Sequence, residues 1–210
     1  MTRSRPVLLV LLFALAGCAE EAGSWGSASS SLRRYVFDDP VSRCQARRLR
    51  DAEPVDAVSW TGACANGFAS GEGTMVWRRG GEIVETDRGS FRDGILDGEG
   101  SRSWADGNLY SGQWRAGRIE GHGMLRSASG QHYDGEWRDG KRDGQGVQTW
   151  PSGNRYEGAW SDDERDGKGK FSWPDGSYFE GRWDDGKPVS KGSLFVDSNG
   201  ARYLNWEYHE

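Results

Sequence analysis

From residue 59 to residue 192 the chain alternates ring or glycine positions with polar ones, and the block so formed returns every 23 residues. Tyr110, Gly112, Trp114, Gly117, Gly121 and Gly123 align with Tyr133, Gly135, Trp137, Gly140, Gly144 and Gly146. Tyr156, Gly158, Trp160, Asp163, Gly167 and Gly169 follow, then Phe179, Gly181, Trp183, Gly186, Ser190 and Gly192. Weaker copies precede them, one led by Asp87 with Gly89, Phe91, Gly94, Gly98 and Gly100, and one with Trp60, Gly62, Cys64, Gly67, Gly71 and Gly73. Period two predicts strands, because successive side chains in a strand point to opposite faces. Tyr110, Gly112 and Trp114 then share one face, while alternates such as Lys168, Lys170 and Ser172 make a solvated one. A helix is excluded by glycine every few residues, each costing about 1 kcal/mol relative to alanine.

Turn chemistry separates the strands. Trp150-Pro-Ser-Gly153 and Trp173-Pro-Asp-Gly176 suit type I turns, and Asp106-Gly107 serves without proline. A second turn ends at Gly94, Gly117, Gly140 or Gly186, where a left-handed backbone favours glycine, with Asp163 as the exception. Gly112, Gly121 and Gly123 would leave hollows in the face for neighbouring rings. The predicted fold is all-β, an elongated single-layer antiparallel sheet of stacked hairpins. At two strands per repeat its length would be about 55 Å.

The ends read differently. Arg3 and Arg5 precede an apolar run from Val7 to Ala16 that is too short to span a bilayer, which needs about 20 residues. Leu15-Ala-Gly-Cys18 resembles a bacterial lipobox. That resemblance implies cleavage of residues 1–17, lipid on Cys18, and a membrane anchor at the cell envelope. An ordinary secretory cut after Ala16 is the alternative. Residues 18–31 form a Gly/Ser-rich tether of about 20 Å. Ala19 is not the aspartate that resembles an inner-membrane retention signal, which favours the outer membrane, facing the periplasm. Residues 32–58 would make an N-terminal lid and residues 193–210 a capping hairpin around the repeats of 59–192. With Cys18 lipidated, Cys44 and Cys64 are expected to form a disulfide stabilising by about 3 kcal/mol; a metal site with these two cysteines lacks the usual ligand spacing.

The signature YxGxWxxGxxxGxG, on residues 110–123, 133–146, 156–169 and 179–192, resembles the MORN repeat. The resemblance implies a twisted antiparallel ribbon used as a scaffold or protein-binding module, and in some members as a contact for phospholipid. Asp87, Cys64, Asp163, Phe179 and Ser190 depart from the pattern.

Charge and motifs narrow the function. Without Arg3 and Arg5 the chain carries 25 basic and 32 acidic side chains, a balance that argues against nucleic acid and against anionic lipid surfaces. Gly135, Gly140 and Lys141 approach a phosphate-binding loop, but Arg142 stands where serine or threonine must hold magnesium. His122, His132 and His209 have no ligand spacing, and the Asp-Gly pairs read as turns. No cofactor, metal or catalytic residue is expected. The expected role is a non-enzymatic adaptor. Its candidate binding face is Tyr110, Trp114, Tyr133, Trp137, Tyr156, Trp160 and Trp183, unless those rings are consumed in packing. Binding of carbohydrate or peptidoglycan, or of a lipid surface, is the alternative.

Overall fold

The computed structural model describes residues 34–49, 52 and 54–205. The leader, Cys18, the tether and residues 206–210 lie outside the described residues. Every regular element among those described is a strand. In chain order they are β1 (Arg34–Asp38), β2 (Gln45–Leu49), β3 (Ala57–Trp60), β4 (Ala63–Ala65), β5 (Phe68–Arg79), β6 (Glu82–Arg92), β7 (Ile95–Trp104) and β8 (Leu109–Arg115). Then come β9 (Arg118–Arg126), β10 (His132–Arg138), β11 (Lys141–Thr149), β12 (Arg155–Ser161), β13 (Glu164–Ser172), β14 (Tyr178–Asp184), β15 (Lys187–Val196) and β16 (Arg202–Leu204). From β5 to β16 each strand pairs with the next in sequence, antiparallel throughout, in one open sheet. The expected all-β sheet of consecutive hairpins is the fold observed.

Two turns build each repeat. In the tight one both central residues have positive φ: Ala116 and Gly117 at 52° and 84°, Asp139 and Gly140 at 49° and 86°, Asp162 and Asp163 at 48° and 75°. This is the mirror-image turn whose twist matches that of paired strands. Its second N–H donates to the preceding repeat, from Gly140 to the Ile119 carbonyl at 2.9 Å and from Gly186 to the Arg165 carbonyl at 3.0 Å. Each turn therefore closes its own hairpin and ties it to its neighbour. The wider turns close as predicted, with Gly153 and Gly176 donating to Trp150 and Trp173 carbonyls at 2.9 and 3.1 Å.

The rings lie over glycine. A Cβ on Gly123, Gly146 or Gly169 would collide with the phenol of Tyr110, Tyr133 or Tyr156 respectively, so bare backbone is required beneath each ring. Those phenols donate to the carbonyls of Gln113, Glu136 and Ala159 at 3.3, 3.0 and 2.9 Å. Each tyrosine meets the tryptophan of its own repeat edge-on at 5.0–5.2 Å and that of the next repeat at 5.2–5.5 Å. Trp60 takes the tyrosine place in the first copy and meets Phe91 at 4.7 Å.

Two expectations are corrected. Gly121 is not a hollow for a ring: the register shifts between Gly112 and Trp114, and a side chain at Gly121 (φ 66°) would strike Gln113 on the opposite face. A bulge has turned that position over. In the last repeat the residue opposite Gly181 is Ser193, not Gly192, because one extra residue is accommodated between Val189 and Ser193. Phe179 lacks the hydroxyl that would exclude the serine, and Ser193 Oγ donates to the Ser190 carbonyl at 2.6 Å.

The N-terminal segment does more than cap an edge. β1 and β2 form a hairpin, β3 pairs antiparallel with β5, and Gln45 meets Phe68 in parallel register. The Arg47 N–H donates to the Gly94 carbonyl at 2.6 Å. A disulfide joins Cys44 to Cys64, with Cα atoms 5.7 Å apart, fastening the hairpin to β4.

Candidate functional site

All seven candidate face residues are core. Tyr110, Trp114, Tyr133, Trp137, Tyr156, Trp160 and Trp183 are 0–6% exposed. The indoles of Trp114, Trp137 and Trp160 donate to the Gly100, Gly123 and Gly146 carbonyls at 3.2, 3.0 and 3.3 Å, while that of Trp183 is buried without an acceptor. Rings that are spent in packing offer little to a partner.

What remains open is the trough above them. Its floor is the position two residues beyond each ring-bearing glycine, occupied by Arg102, Leu125, Gln148 and Phe171. One wall follows two residues later, just before the wide turn, and holds Trp104, Trp150 and Trp173, all partly exposed. Among the described residues no acceptor meets their indole N–H groups. The other wall comes from β9, β11 and β13, where Ile119, Arg142 and Arg165 hold equivalent positions 23 residues apart. The Arg142 guanidinium lies 4.3 Å from the Trp160 ring and that of Arg165 lies 4.1 Å from Trp183. Arg142 is paired with Asp163 at 3.0 Å, and Arg165 donates to the Gly186 carbonyl at 2.6 Å.

Two cavities mark the open stretch. One, of about 500 Å³, is lined by Arg165, Phe171, Trp173, Phe179, Trp183 and Pro188; the other, of about 450 Å³, by Leu125, Tyr133, Trp137, Arg142 and Gln148. They occupy equivalent places two repeats apart. Trp104, Trp150 and Trp173 stand outside the ring-over-glycine signature, and the signal that marks them is their place immediately before a turn.

The same trough is filled at its N-terminal end. Trp77, at the position equivalent to Trp104, Trp150 and Trp173, is 1% exposed because the β1–β2 hairpin lies on it. Phe37 meets its ring edge-on at 5.5 Å and the Arg48 guanidinium lies 5.0 Å away. Arg48 forms a two-pronged pair with Glu85, at 2.7 and 3.1 Å. Asp87, where other repeats have tyrosine, accepts from the Trp77 indole at 3.1 Å and from Arg102 at 2.6 Å. Burial pushes the Glu85 carboxyl above its ordinary range, against the opposing pull of Arg102 and Arg48.

The MORN-repeat family model matches residues 65–82, 88–109, 110–132, 133–155, 156–178 and 179–200, more than half of the chain. The chain belongs to the MORN-repeat family. A search of curated proteins returns no match. Among solved structures the MORN sheet is similar to the SAS-4 (dCPAP) TCP domain in complex with a proline-rich motif of Ana2 (dSTIL) of Drosophila melanogaster. Identity is 12%, coverage 88% of this chain and 97% of that one, and the TM-score 0.44.

Other chemistry has little support in this MORN sheet. The near phosphate loop places Gly140 and Lys141 at a tight turn, where the Gly140 N–H is already bonded and Lys141 pairs with Asp162 at 2.9 Å. His122 lies 3.5 Å from Asp134 on the exposed face. Carboxylate oxygens of Asp166, Asp184 and Asp185 come within 4.8 Å of one another, but Asp184, at the end of β14, and Asp185, in the turn after it, are both exposed.

Proposed function

We propose that this MORN-repeat protein is a non-enzymatic scaffold that binds a protein partner in the trough of its last repeats. The reading places it at the bacterial envelope, held by lipid on Cys18 at the outer membrane and facing the periplasm. The observation that carries the binding role is the row of Trp104, Trp150 and Trp173, partly exposed where the equivalent Trp77 is covered. Partly exposed tryptophans lining a groove have the composition of interface anchors. Glu85 and Asp87, the buried Glu and Asp of the tryptophan trough, are engaged by Arg48 and Arg102 beneath the β1–β2 hairpin, which supports a binding role over a catalytic one.

The test is photo-crosslinking in intact cells, with the reactive group at position 150 or 173 and a control at Glu157 on the polar face. A protein adduct from the trough positions alone, lost in a folded Trp150→Ala/Trp173→Ala variant, is the expected result. Labelling from position 157 alone, or sedimentation of the purified protein with cell wall that depends on Trp150 and Trp173, would replace this reading with another. The anchor is tested separately by the intact mass of the membrane form, which should show acyl chains on Cys18.

A further inference from the structure

We infer that the partner segment received beside Trp173 presents a carboxylate, that of an aspartate or glutamate flanked by apolar side chains, to Arg165. This rests on the scaffold reading above and names the chemistry that the same site takes. The preceding repeat supplies the template. Arg142 and Arg165 hold equivalent positions, and each donates to the carbonyl of a tight-turn residue, Arg142 to that of Asp163 at 2.7 Å and Arg165 to that of Gly186 at 2.6 Å. Asp163 adds a carboxylate, whose Oδ1 accepts from the Arg142 Nε and from the Arg142 backbone N–H, both at 3.0 Å. Gly186 has no side chain with which to do the same. A Cβ at Gly186 would meet nothing within 4 Å, so the place that the Asp163 side chain fills in one repeat is open in the next.

The surroundings agree with a negative occupant. Where the preceding repeat carries Asp163 and Glu164, this one carries Gly186 and Lys187. Lys187 is exposed and makes no ion pair among the described residues. The cavity at Trp173 is lined by Arg165 and Lys187 and by no carboxylate, whereas Asp163 lines the other open cavity beside Arg142; Asp166, Asp184 and Asp185 gather outside both. The rings set the rest of the requirement. Phe171 and Trp173 meet edge-on at 4.8 Å on floor and wall, a surface for an apolar side chain next to the acid. The Arg165 guanidinium is already positioned by the Trp183 ring, 4.1 Å away, and by the Gly186 carbonyl, so an entering carboxylate finds an oriented, charge-assisted donor.

The experiment uses residues 18–210 with Cys18→Ser and two synthetic probes, acetyl-Leu-Asp-Leu-Asp-Leu-amide and its counterpart with asparagine for aspartate. Binding is followed by the indole N–H resonances of the protein. The aspartate probe should shift the Trp173 signal, and the asparagine probe should bind about tenfold more weakly. Gly186→Asp, at a φ of 78° close to the 75° that Asp163 holds, should fill the slot with the chain's own carboxylate. It should weaken the aspartate probe by a similar factor without lowering the thermal midpoint. The reciprocal Asp163→Gly should open a second saturable site at Arg142 that perturbs the Trp160 signal. Equal binding of the two probes, undiminished binding by Gly186→Asp, or no saturable binding of either probe overturns the inference and leaves the scaffold reading to its own crosslinking test. Phosphatidylglycerol vesicles that shift Trp173 and displace the aspartate probe would assign the slot to lipid, and a Trp173 shift produced by Glu207→Gln/Glu210→Gln without any probe would assign it to this chain's own carboxylates. Either result overturns it as well.

Discussion

A single missing methyl decides how each repeat packs. Gly123 is bare because the Tyr110 phenol lies where its Cβ would be. Gly123→Ala should therefore cost about 1–3 kcal/mol through overpacking, read as a lowered midpoint in urea. The chain already contains the compensated pair, Phe179 with Ser193. Gly123→Ser combined with Tyr110→Phe should regain part of the loss, and a double variant as unstable as the sum of the two singles would contradict the ring-over-glycine account. The phenols also set an alkaline limit. Burial lifts the Tyr156 phenol from 10 to about 12, and raises those of Tyr110 and Tyr133 as well. Their contribution is thus whole below pH 10 and is lost as pH climbs from 10 toward 12. Phenolate absorbance from these three should rise together with loss of the sheet signal in far-ultraviolet circular dichroism; ionisation with the sheet intact would refute it.

At the scale of the element, the strands and both turn types were legible in the sequence, because each has a local cause: alternation for the strands, and for the turns a Pro-x-Gly or a closing glycine. Two things were not. A glycine shows no side chain to betray its face, so the bulge that turns Gly121 away from the rings left no trace in the 23-residue alignment. The docking of β2 depends on Arg48 and Glu85, 37 residues apart, and no local pattern links them. The seven aromatic candidates were visible by type, but their burial follows from neighbours in adjacent repeats. The same docked pair gives a prediction. Glu85→Gln removes the carboxylate that Arg48 and Arg102 share and should cost about 3 kcal/mol, whereas Arg48→Met with Glu85→Leu should come within about 1 kcal/mol of the parent. Chemical denaturation of both variants checks this, and equal losses would show that packing of the hairpin, not charge, dominates.

For the molecule as a whole, contacts between strands from β6 onward run chiefly to immediate neighbours, as expected of stacked repeats. Removing residues 133–155 joins Tyr156 to the repeat that ends at His132 in unchanged register. The shortened protein should fold cooperatively with a smaller denaturant slope, and a chain that fails to form sheet would show that the repeats are not interchangeable. The edge-on rings have one more consequence, an optical one. From Tyr110 to Trp183 they form an unbroken series, each centroid within 5.0–5.5 Å of the next. Excitation absorbed by one chromophore can hop to its neighbours before it is emitted, so the protein's own light should leave depolarised, and a break at any single rung should restore anisotropy in proportion to the length of series cut away.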